Sequence, residues 1–312
     1  MDLTKTKIVV TGGAGFIGSN IVRKLLEFGA DVVVLDDLST GRRVNIEPFL
    51  DDIVFFEKSI TDLDVLRQAF NGVDYVLHQA AIPSVPRSIS DPITSHHVNA
   101  TGALNVFWIA KEMGVKRVVY ACSSSAYGTP DIIPVHEGLG YNPLSPYAVQ
   151  KAMKEMYGKV FSNLYGLETV GLKYFNVFGP NQDPNSKYSA VIPLFITSML
   201  KGQSPTIFGD GSTSRDFTYV DNVVDANIRA IFAENVSGHI INVASGNPKT
   251  LNELVATING AIETSIDPIY SDWRMGDIKH SHADIRKAKE LLGFSPFVDF
   301  EQGILNTIQY LK

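Results

Sequence analysis

The sequence predicts an α/β fold, a doubly wound parallel sheet with a smaller α/β lobe attached to it. Short apolar runs alternate with segments of helical periodicity through the first half of the chain, a pattern typical of parallel sheets covered by helices. A glycine-rich turn joins the first strand to the first helix, and after Asn176 the pattern changes to loops and short elements. We expect a larger domain from residues 1–175 with 216–245, and a ligand-binding lobe from residues 176–215 with 246–312.

The elements of the larger domain follow from apolar runs and from helix start and stop signals. Strands are predicted at Lys7–Thr11, Asp31–Leu35, Ile53–Phe56, Tyr75–His78, Arg117–Ala121, Thr169–Tyr174 and His239–Val243. Helices are predicted from the glycine turn to about Phe28, at Asp62–Phe70, from Pro92 through Asn99 to Met113, from Pro146 onward, and at Asp221–Phe232.

The smaller lobe carries shorter signals. We predict a helix at Val191–Leu200 and a strand at Thr206–Phe208. Thr250 and Glu253 have the spacing of a capping box before an apolar run. Near the end of the sequence, Asp284 can cap a helix that stops at Gly293.

The composition argues against several classes of protein. The 312 residues are 45% hydrophobic and 19% charged, which is typical of a globular protein with an ample core. The net charge of −6 argues against a nucleic-acid-binding surface, because such a surface requires clustered cations. The single cysteine, Cys122, excludes an internal disulfide and a cysteine-rich zinc site. No signal core or long apolar run occurs, so we expect a cytoplasmic protein without a membrane segment.

The glycine-rich turn is the first indication of a ligand. Its glycines fit both G-x-x-G-x-x-G and G-x-G-x-x-G, and they lie between a strand and a helix. Such glycines let a pyrophosphate approach the backbone at a helix N-terminus, as in Rossmann-like dinucleotide sites. Asp36 ends the second strand about 20 residues downstream, where a carboxylate binds ribose hydroxyls and repels a 2′-phosphate. The pattern predicts NAD rather than NADP, with Arg42 and Arg43 interpreted as parts of a solvated loop.

Tyr147 and Lys151 form the candidate catalytic pair. They are four residues apart in a predicted helix, so they share one helical face. An ammonium group beside a phenol favours the phenolate, which acts as a general base near neutral pH. The alternative for this spacing alone is an exposed pair on a helix surface, and the other motifs favour the catalytic interpretation.

Other candidates follow from the rule that ligands of doubly wound sheets bind at the carboxyl ends of strands. The segments that directly follow predicted strands are His78–Ser84, Ser123–Ser125 and Asn176. Turn capping is the alternative use of the serine run. His280 and His282 flank Ser281, but two such ligands without a carboxylate cluster favour core or surface histidines over a metal site.

Taken together, these motifs resemble the extended short-chain dehydrogenase/reductases. The resemblance rests on Thr11–Gly18, Asp36, Ser123–Gly128 and the Tyr147–Lys151 pair, and it runs nearly end to end. The stretches similar to nucleotide-sugar 4-epimerases are Lys173–Gly179, Gly209–Gly211, Arg215–Phe217 and Arg274–Asp277. Those similar to bacterial and archaeal UDP-N-acetylglucosamine 4-epimerases are Ser84–Ser88, Gln182–Asn185 and Ala190–Pro193.

The resemblance implies a role for each matching residue. Tyr147 is the expected base for the sugar 4-hydroxyl, Lys151 holds the cofactor ribose, and Ser123, or Ser124 in a shifted register, bridges the sugar oxygen and Tyr147. Expected NAD-binding residues are Gly12, Gly15, Phe16, Ile17, Gly18, Asp36, Asp37, Ser39, Thr40, Gly41, Ser59, Ile60, Gln79, Ala80, Ala81, Asn99, Tyr147, Lys151 and Tyr174. Expected UDP-sugar-binding residues are Ser84, Ser123, Ser125, Tyr147, Asn176, Ala190, Val191, Ile207, Arg215, Arg274, Asp277 and Ser281.

The implied reaction is an internal oxidation and reduction at carbon 4 of a nucleotide sugar. NAD takes up the hydride, the 4-keto sugar turns over in the site, and the hydride returns to the opposite face. A small residue at Ser281 implies that N-acetylated sugars are accepted, so we expect interconversion of UDP-N-acetylglucosamine and UDP-N-acetylgalactosamine, and also of UDP-glucose and UDP-galactose. The resemblance also implies a homodimer formed by helices near residues 91–113 and 147–164.

The same scaffold supports four alternatives. Ser124 and Ser125 occupy positions at which 4,6-dehydratases and UDP-glucuronate decarboxylases carry acidic residues, so those two reactions are disfavoured. A 4-epimerase that acts on UDP-glucuronate stays open. A non-catalytic NAD-binding regulator is the alternative outside enzymes, although such proteins usually lose the tyrosine or the lysine.

Overall fold

A seven-stranded parallel sheet forms the centre of the protein. The computed structural model describes residues 2–184, 190–273 and 279–312. The strands are β1 Lys7–Thr11, β2 Asp31–Leu35, β3 Ile53–Phe56, β4 Tyr75–His78, β5 Arg117–Ser123, β6 Glu168–Tyr174, β7 Val177–Phe178, β8 Thr206–Phe208, β9 Ser214–Arg215, β10 Thr218–Tyr219, β11 His239–Val243, β12 Lys249–Thr250 and β13 Ile269–Ser271. Within the large sheet the order is β11-β6-β5-β4-β1-β2-β3, so the strand order reverses between β1 and β4.

Helices cover both faces of this sheet. They are α1 Phe16–Glu27, α2 Leu63–Ala69, α3 Val85–Ser90, α4 Pro92–His96, α5 Gly102–Glu112, α6 Pro146–Tyr165, α7 Val191–Leu200, α8 Val220–Phe232, α9 Leu251–Ile262, α10 Arg286–Leu292 and α11 Phe300–Leu311. On one face α1 packs against α8, and on the other α6 packs against α5. Each face buries its own apolar core, as expected for a doubly wound sheet.

Most predicted elements are confirmed, with shifts at their ends. The first four strands and β11 have the predicted bounds, while β5 continues two residues beyond the predicted end at Ala121, to Ser123. The helix predicted from Pro92 to Met113 is divided by a π-helical turn at His97–Thr101. At this turn the amide of Asn99 bonds the backbone of Ile82 from a neighbouring loop.

The smaller elements gather beside the carboxyl end of the sheet. Helices α7, α9 and α11 pack against one another, and three two-stranded sheets join β7 with β10, β8 with β13 and β9 with β12. The capping box predicted at Thr250 and Glu253 is confirmed. Asp284 accepts a hydrogen bond from the backbone N–H of Arg286, but the residue that precedes α10 is Ile285, so the predicted N-cap was one position early.

The chain returns to the large sheet late, when β11 pairs in parallel with β6 at the sheet edge. This pairing fits the expectation that residues 216–245 belong with the larger domain, and the division into two domains stays a prediction. Within the described residues, no helix has the length and apolarity needed to cross a bilayer.

Candidate active site

A cleft of about 880 Å³ opens at the carboxyl end of the parallel sheet. Its walls come from the turns after β1, β2, β4, β5 and β6, from the first turns of α6, and from Arg215, His280 and Ser281 of the smaller elements. The point where the strand order reverses, between β1 and β4, lies at this edge. Doubly wound sheets bind their ligands at such a switch point.

The glycine turn after β1 has no room for side chains. Gly12 has a φ of +71°, and a Cβ placed there would lie 2.6 Å from the backbone nitrogen of Ala80. A Cβ at Gly18 would lie only 2.0 Å from the carbonyl oxygen of Gly12. Helix α1 begins directly after Gly15 and has no side-chain cap. The turn therefore presents uncapped N–H groups to the cleft, as a pyrophosphate site requires.

Asp36 fixes this turn from the end of β2. One carboxylate oxygen accepts the Ala14 N–H at 2.9 Å and the other accepts the Leu38 N–H at 2.9 Å. The side chain is 7% exposed and lines the cleft. Burial raises the pKa of this carboxyl, and the two backbone N–H groups oppose that rise. Each oxygen keeps a further lone pair for a ribose hydroxyl.

Tyr147 and Lys151 lie where helix α6 meets the end of β5. Pro146 is the first residue of α6, and the Ser145 hydroxyl accepts the Ala148 N–H at 3.2 Å. Lys151 is buried, and its ammonium group donates to the carbonyl oxygen of Ala121 at 3.2 Å. The same Nζ lies 5.6 Å from the centroid of the half-buried Tyr147 ring. The predicted pair is thus brought together inside the cleft.

The serine run supplies hydroxyls to the same cleft. Ser123 is the last residue of β5, and its Oγ accepts the Ser125 N–H at 3.2 Å and the Ser125 hydroxyl at 2.9 Å. Ser123 and Ser124 both line the cleft. Because Ser123 Oγ already accepts two hydrogen bonds, its own hydroxyl hydrogen stays available for a ligand oxygen.

The far end of the cleft is organised by the buried carboxylate of Asp216. It accepts backbone N–H groups from Ser245, Gly246 and Ala283, and the Ser245 hydroxyl at 2.6 Å. These bonds hold three separate chain segments next to Arg215, which lines the cleft. Burial raises the pKa of Asp216, and its hydrogen bonds oppose that rise.

Ser281 lies beside Arg215, since its N–H donates to the Ser214 carbonyl at 3.1 Å. His280 also borders the cleft, and its Nδ1 lies 2.9 Å from the Ser214 hydroxyl. The side chain of Arg215 donates to the Ser214 carbonyl at 2.9 Å. This end of the cleft is thus lined by the guanidinium of Arg215, the hydroxyl of Ser281 and the imidazole of His280.

A polar layer is buried beneath the Tyr147–Lys151 pair, between α6 and the sheet. Lys154 follows Lys151 by three residues and is fully buried, and its Nζ has no hydrogen-bond partner among the described residues. Burial lowers the pKa of Lys154 well below its usual value, and the charge of Lys151 lowers it further. His78, whose Nδ1 lies 2.7 Å from the Thr11 hydroxyl, has its pKa lowered well below its usual value by burial and by these lysines.

The cleft gathers most of the predicted site residues. Those that line it are Gly12, Gly15, Phe16, Ile17, Gly18, Asp36, Asp37, Ser39, Thr40, Ile60, Gln79, Ala80, Ala81, Ser123, Ser124, Ser125, Tyr147, Lys151, Tyr174, Asn176, Arg215 and Ser281. Those outside its lining are Gly41, Ser59, Ser84, Asn99, Ala190, Val191 and Ile207. Arg274 and Asp277 lie outside the described residues.

Two of the residues outside the lining shape the cleft from behind. A Cβ at Gly41 would lie 2.6 Å from a carboxylate oxygen of Asp36, so the absent side chain leaves room for that carboxylate. Asn99 accepts the Ile82 N–H at 2.7 Å and donates to the Ile82 carbonyl and to Gln150, the residue before Lys151. Gly41 thus acts on the side chain of Asp36, and Asn99 acts on the backbone at Ile82.

The sequence reasoning did not include some residues of the lining. Lys58 and Tyr127 are examples, and His280 was interpreted as a core or surface residue. Lys58 comes just after β3, so the strand-end rule could have found it. Tyr127 carries the Lys173 ammonium 3.9 Å from its ring centroid, a contact between distant segments that spacing does not reveal.

These observations fit a dinucleotide. A bare glycine turn, an uncapped helix N-terminus and a carboxylate at the end of β2 lie along one wall of the cleft. Further along the same wall, the Tyr174 hydroxyl donates to Gln79 at 3.2 Å, which fixes two more polar side chains of the lining.

Comparison with known proteins gives consistent matches along the whole chain. Residues 8–244 match the model of the NAD dependent epimerase/dehydratase family. The UDP-glucose 4-epimerase of Mycolicibacterium smegmatis is 38% identical over 98% of both chains. The structure of a UDP-N-acetylglucosamine 4-epimerase from Methanobrevibacter ruminantium, in complex with UDP-N-acetylmuramic acid, is 41% identical, with a TM-score of 0.94 over 99% of this chain and 98% of that one. A UDP-glucose 4-epimerase of Thermus thermophilus in complex with NAD is 35% identical, with a TM-score of 0.88 over 98% of both chains.

Proposed function

The chain belongs to the NAD-dependent epimerase/dehydratase family, and we propose that this nucleotide-sugar 4-epimerase interconverts UDP-N-acetylglucosamine and UDP-N-acetylgalactosamine. We infer that it also converts UDP-glucose to UDP-galactose. The observation that carries the proposal is one cleft in which the Tyr147–Lys151 pair lies between a dinucleotide turn and Arg215.

Tyr147 is the base of the proposed reaction. The ammonium of Lys151 lies 5.6 Å from the ring centroid, so a cation accompanies the phenol inside the cleft. The phenolate takes the proton of the sugar 4-hydroxyl and later returns it, as general acid–base catalysis requires. NAD, when bound, supplies the acceptor and donor of the hydride at carbon 4.

Ser123 and Lys151 orient the reacting groups. The hydroxyl of Ser123 accepts two hydrogen bonds from Ser125, so its hydrogen is available to the sugar oxygen at carbon 4. The Lys151 ammonium donates to the Ala121 carbonyl at 3.2 Å and lies beside the Tyr147 ring, where it would hold the cofactor ribose.

The other end of the cleft selects the nucleotide and the sugar. Arg215 offers a guanidinium to the diphosphate. Ser281 supports the preference for N-acetylated sugars, because a small side chain in the cleft wall leaves room for a 2-acetamido group. The relative from Methanobrevibacter ruminantium, 41% identical, supports the same substrate pair.

We also infer that the chain forms a homodimer through α4, α5 and α6. Large apolar side chains remain exposed on these helices, with Ile93 79% and Leu164 73% exposed. The rings of Trp108 on α5 and Tyr165 on α6 touch edge to face, so this apolar surface continues across both helices. Such a surface in water favours a second copy of the same helices.

A turnover assay tests the proposed function. The purified chain is supplied with UDP-N-acetylglucosamine, UDP-glucose and UDP-glucuronate, each in a separate reaction, and the products are separated by anion-exchange chromatography. We expect the 4-epimers of the first two, no product with Tyr147→Phe, and full activity with Tyr157→Phe, ten residues along the same helix. Conversion of UDP-glucuronate alone would assign the chain to the alternative substrate, and no conversion of any sugar would refute the proposal.

A further inference from the structure

We propose that Ser88 is a positioning residue that fixes Tyr147 against helix α3 at the sugar end of the cleft, an inference that rests on the proposed function. Ser88 lies on α3 and is fully buried. Its Oγ accepts the backbone N–H of Tyr147 at 3.1 Å, and its hydroxyl donates to the Val85 carbonyl at 2.7 Å. One side chain therefore joins the first turn of α6 to the first turn of α3, at Val85.

The hydrogen bond from Tyr147 to Ser88 satisfies a backbone donor at the N-terminus of α6. The first N–H groups of a helix have no intrahelical partner. In α6, Pro146 has no N–H, Ser145 caps Ala148, and the Val149 N–H bonds the Ser145 carbonyl. The N–H of Tyr147 is the remaining donor of this turn without a partner in its own helix. It donates to Ser88, which lies 59 residues earlier in the chain. Ser88 thus acts on the residue that carries the reacting phenol.

The same bridge reaches the sugar-binding wall. Pro83, Val85 and Pro86 line the cleft, while Ser84 caps α3 by accepting the Arg87 N–H. The preceding residue, Ile82, is held at both backbone groups by Asn99. Ser88 at one end and Asn99 at the other, through Gln150, therefore join the segment from Ile82 to Ser88 to helix α6 by hydrogen bonds. The distance between the sugar wall and the phenol is consequently set by Ser88.

Removing this hydroxyl misplaces the phenol without emptying the cleft. Ser88→Ala leaves the Tyr147 N–H without its buried partner and frees the Val85 carbonyl. The contacts of the nucleotide, at the glycine turn and at Arg215, are unchanged. We therefore expect kcat to fall roughly ten-fold while KM stays within about two-fold, because small errors in position act on the chemical step. The Ser88→Cys variant, with a weaker hydrogen-bonding group of similar shape, is expected to have an intermediate kcat.

The matched control is Ser90→Ala on the same helix. The hydroxyl of Ser90 donates to the Arg87 carbonyl at 3.1 Å, a local bond of the same kind, but the residue is exposed and faces neither Tyr147 nor the cleft. This variant removes a serine hydroxyl from α3 without touching the bridge. We expect its kcat and KM to equal those of the native chain.

Amide hydrogen exchange tests the bridge without any substrate. The chain is labelled with ¹⁵N-tyrosine, and the signal of Tyr147 is assigned with Tyr147→Phe. In Ser88→Ala we expect exchange of the Tyr147 amide to accelerate roughly ten-fold. The amides of Tyr157 and Tyr165, within α6, should keep their rates, and Ser90→Ala should change none of the three.

The outcomes separate this inference from the proposed function. An unchanged Tyr147 amide in Ser88→Ala overturns the bridge, and faster exchange with native kcat overturns the positioning role. Should Ser88→Ala not fold, Ser88→Cys is judged by the same two measurements. A native chain that converts no nucleotide sugar refutes the function, while the exchange experiment still decides whether Ser88 holds the Tyr147 amide.

Discussion

Replacing the buried Lys154 with methionine is expected to stabilise the protein. Lys154 is fully buried, and its Nζ lacks a hydrogen-bond partner among the described residues. Methionine has a similar length, carries no group that needs a partner, and adapts to irregular core space. Lys154→Met therefore removes an unsatisfied polar atom while keeping the packing between α6 and the sheet.

Two contributions set the magnitude. An unsatisfied buried polar group costs about 1–3 kcal/mol relative to an apolar replacement. The second contribution depends on pH, because the pKa of Lys154 is lowered by burial and by the charge of Lys151. Where the amine is neutral in the folded state and protonated in the unfolded one, the unfolded state binds one proton more. Native stability then rises with pH by about 1.4 kcal/mol per unit, up to the ordinary lysine pKa of about 10.4.

The methionine variant has no such proton, so its advantage shrinks as the pH rises. Between pH 7 and pH 9 we expect the difference in unfolding free energy between variant and native chain to fall as the pH rises. Urea unfolding at pH 7, 8 and 9, followed by tryptophan fluorescence without added ligands, measures this difference. Lys159→Met is the control, because Lys159 is exposed on the same helix.

Two results would refute the reasoning about Lys154. A variant less stable than the native chain would show that the amine has a buried partner in solution, such as a bridging water. A gain independent of pH would show that Lys154 keeps its proton on folding. The control should change the unfolding free energy by less than about 0.5 kcal/mol at each pH.

Three further predictions concern the site and the interface. Ser281→Tyr is expected to abolish activity on the N-acetylated pair and to spare UDP-galactose, and equal loss of both in the turnover assay would contradict a gating role. Gly18→Ala forces a Cβ to within 2.0 Å of the Gly12 carbonyl oxygen. NAD binding, measured by fluorescence titration, should therefore weaken at least ten-fold. The control Gly260→Ala has open space around its Cβ position and should bind NAD normally. Leu164→Asp places a charge on the exposed apolar surface and should yield monomers in sedimentation velocity, a result that Leu305→Asp on α11 should not reproduce.

Elements with strong local signals could be predicted from the sequence. The strand Lys7–Thr11, the glycine turn and the capping box at Thr250 each depend on neighbours within a few residues, and the structure has them as predicted. The rule that ligands bind at the carboxyl ends of strands also predicted Ser123 and Asn176, and both line the cleft, because parallel strands end at one edge of the sheet. Local chemistry and topology together were sufficient for this part of the site.

Contacts between distant segments could not be predicted in this way. The amide of Asn99 bonds both backbone groups of Ile82, 17 residues earlier, a contact that the sequence did not predict. The Ser88 hydroxyl meets Tyr147 only because α3 packs against α6. Which polar groups pair across such a packing depends on helix positions within an ångström or so, and residue spacing does not contain that information.

The late return of β11 to the sheet has a consequence for biogenesis. Strand β6 gains its outer partner only after residue 243 has been made, some seventy residues after β6 itself is complete. During synthesis β6 is therefore an unpaired edge strand for a time, and an unpaired edge strand can pair with a strand of another chain. A nascent chain arrested before His239 should bind holdase chaperones more strongly than one arrested beyond Val243.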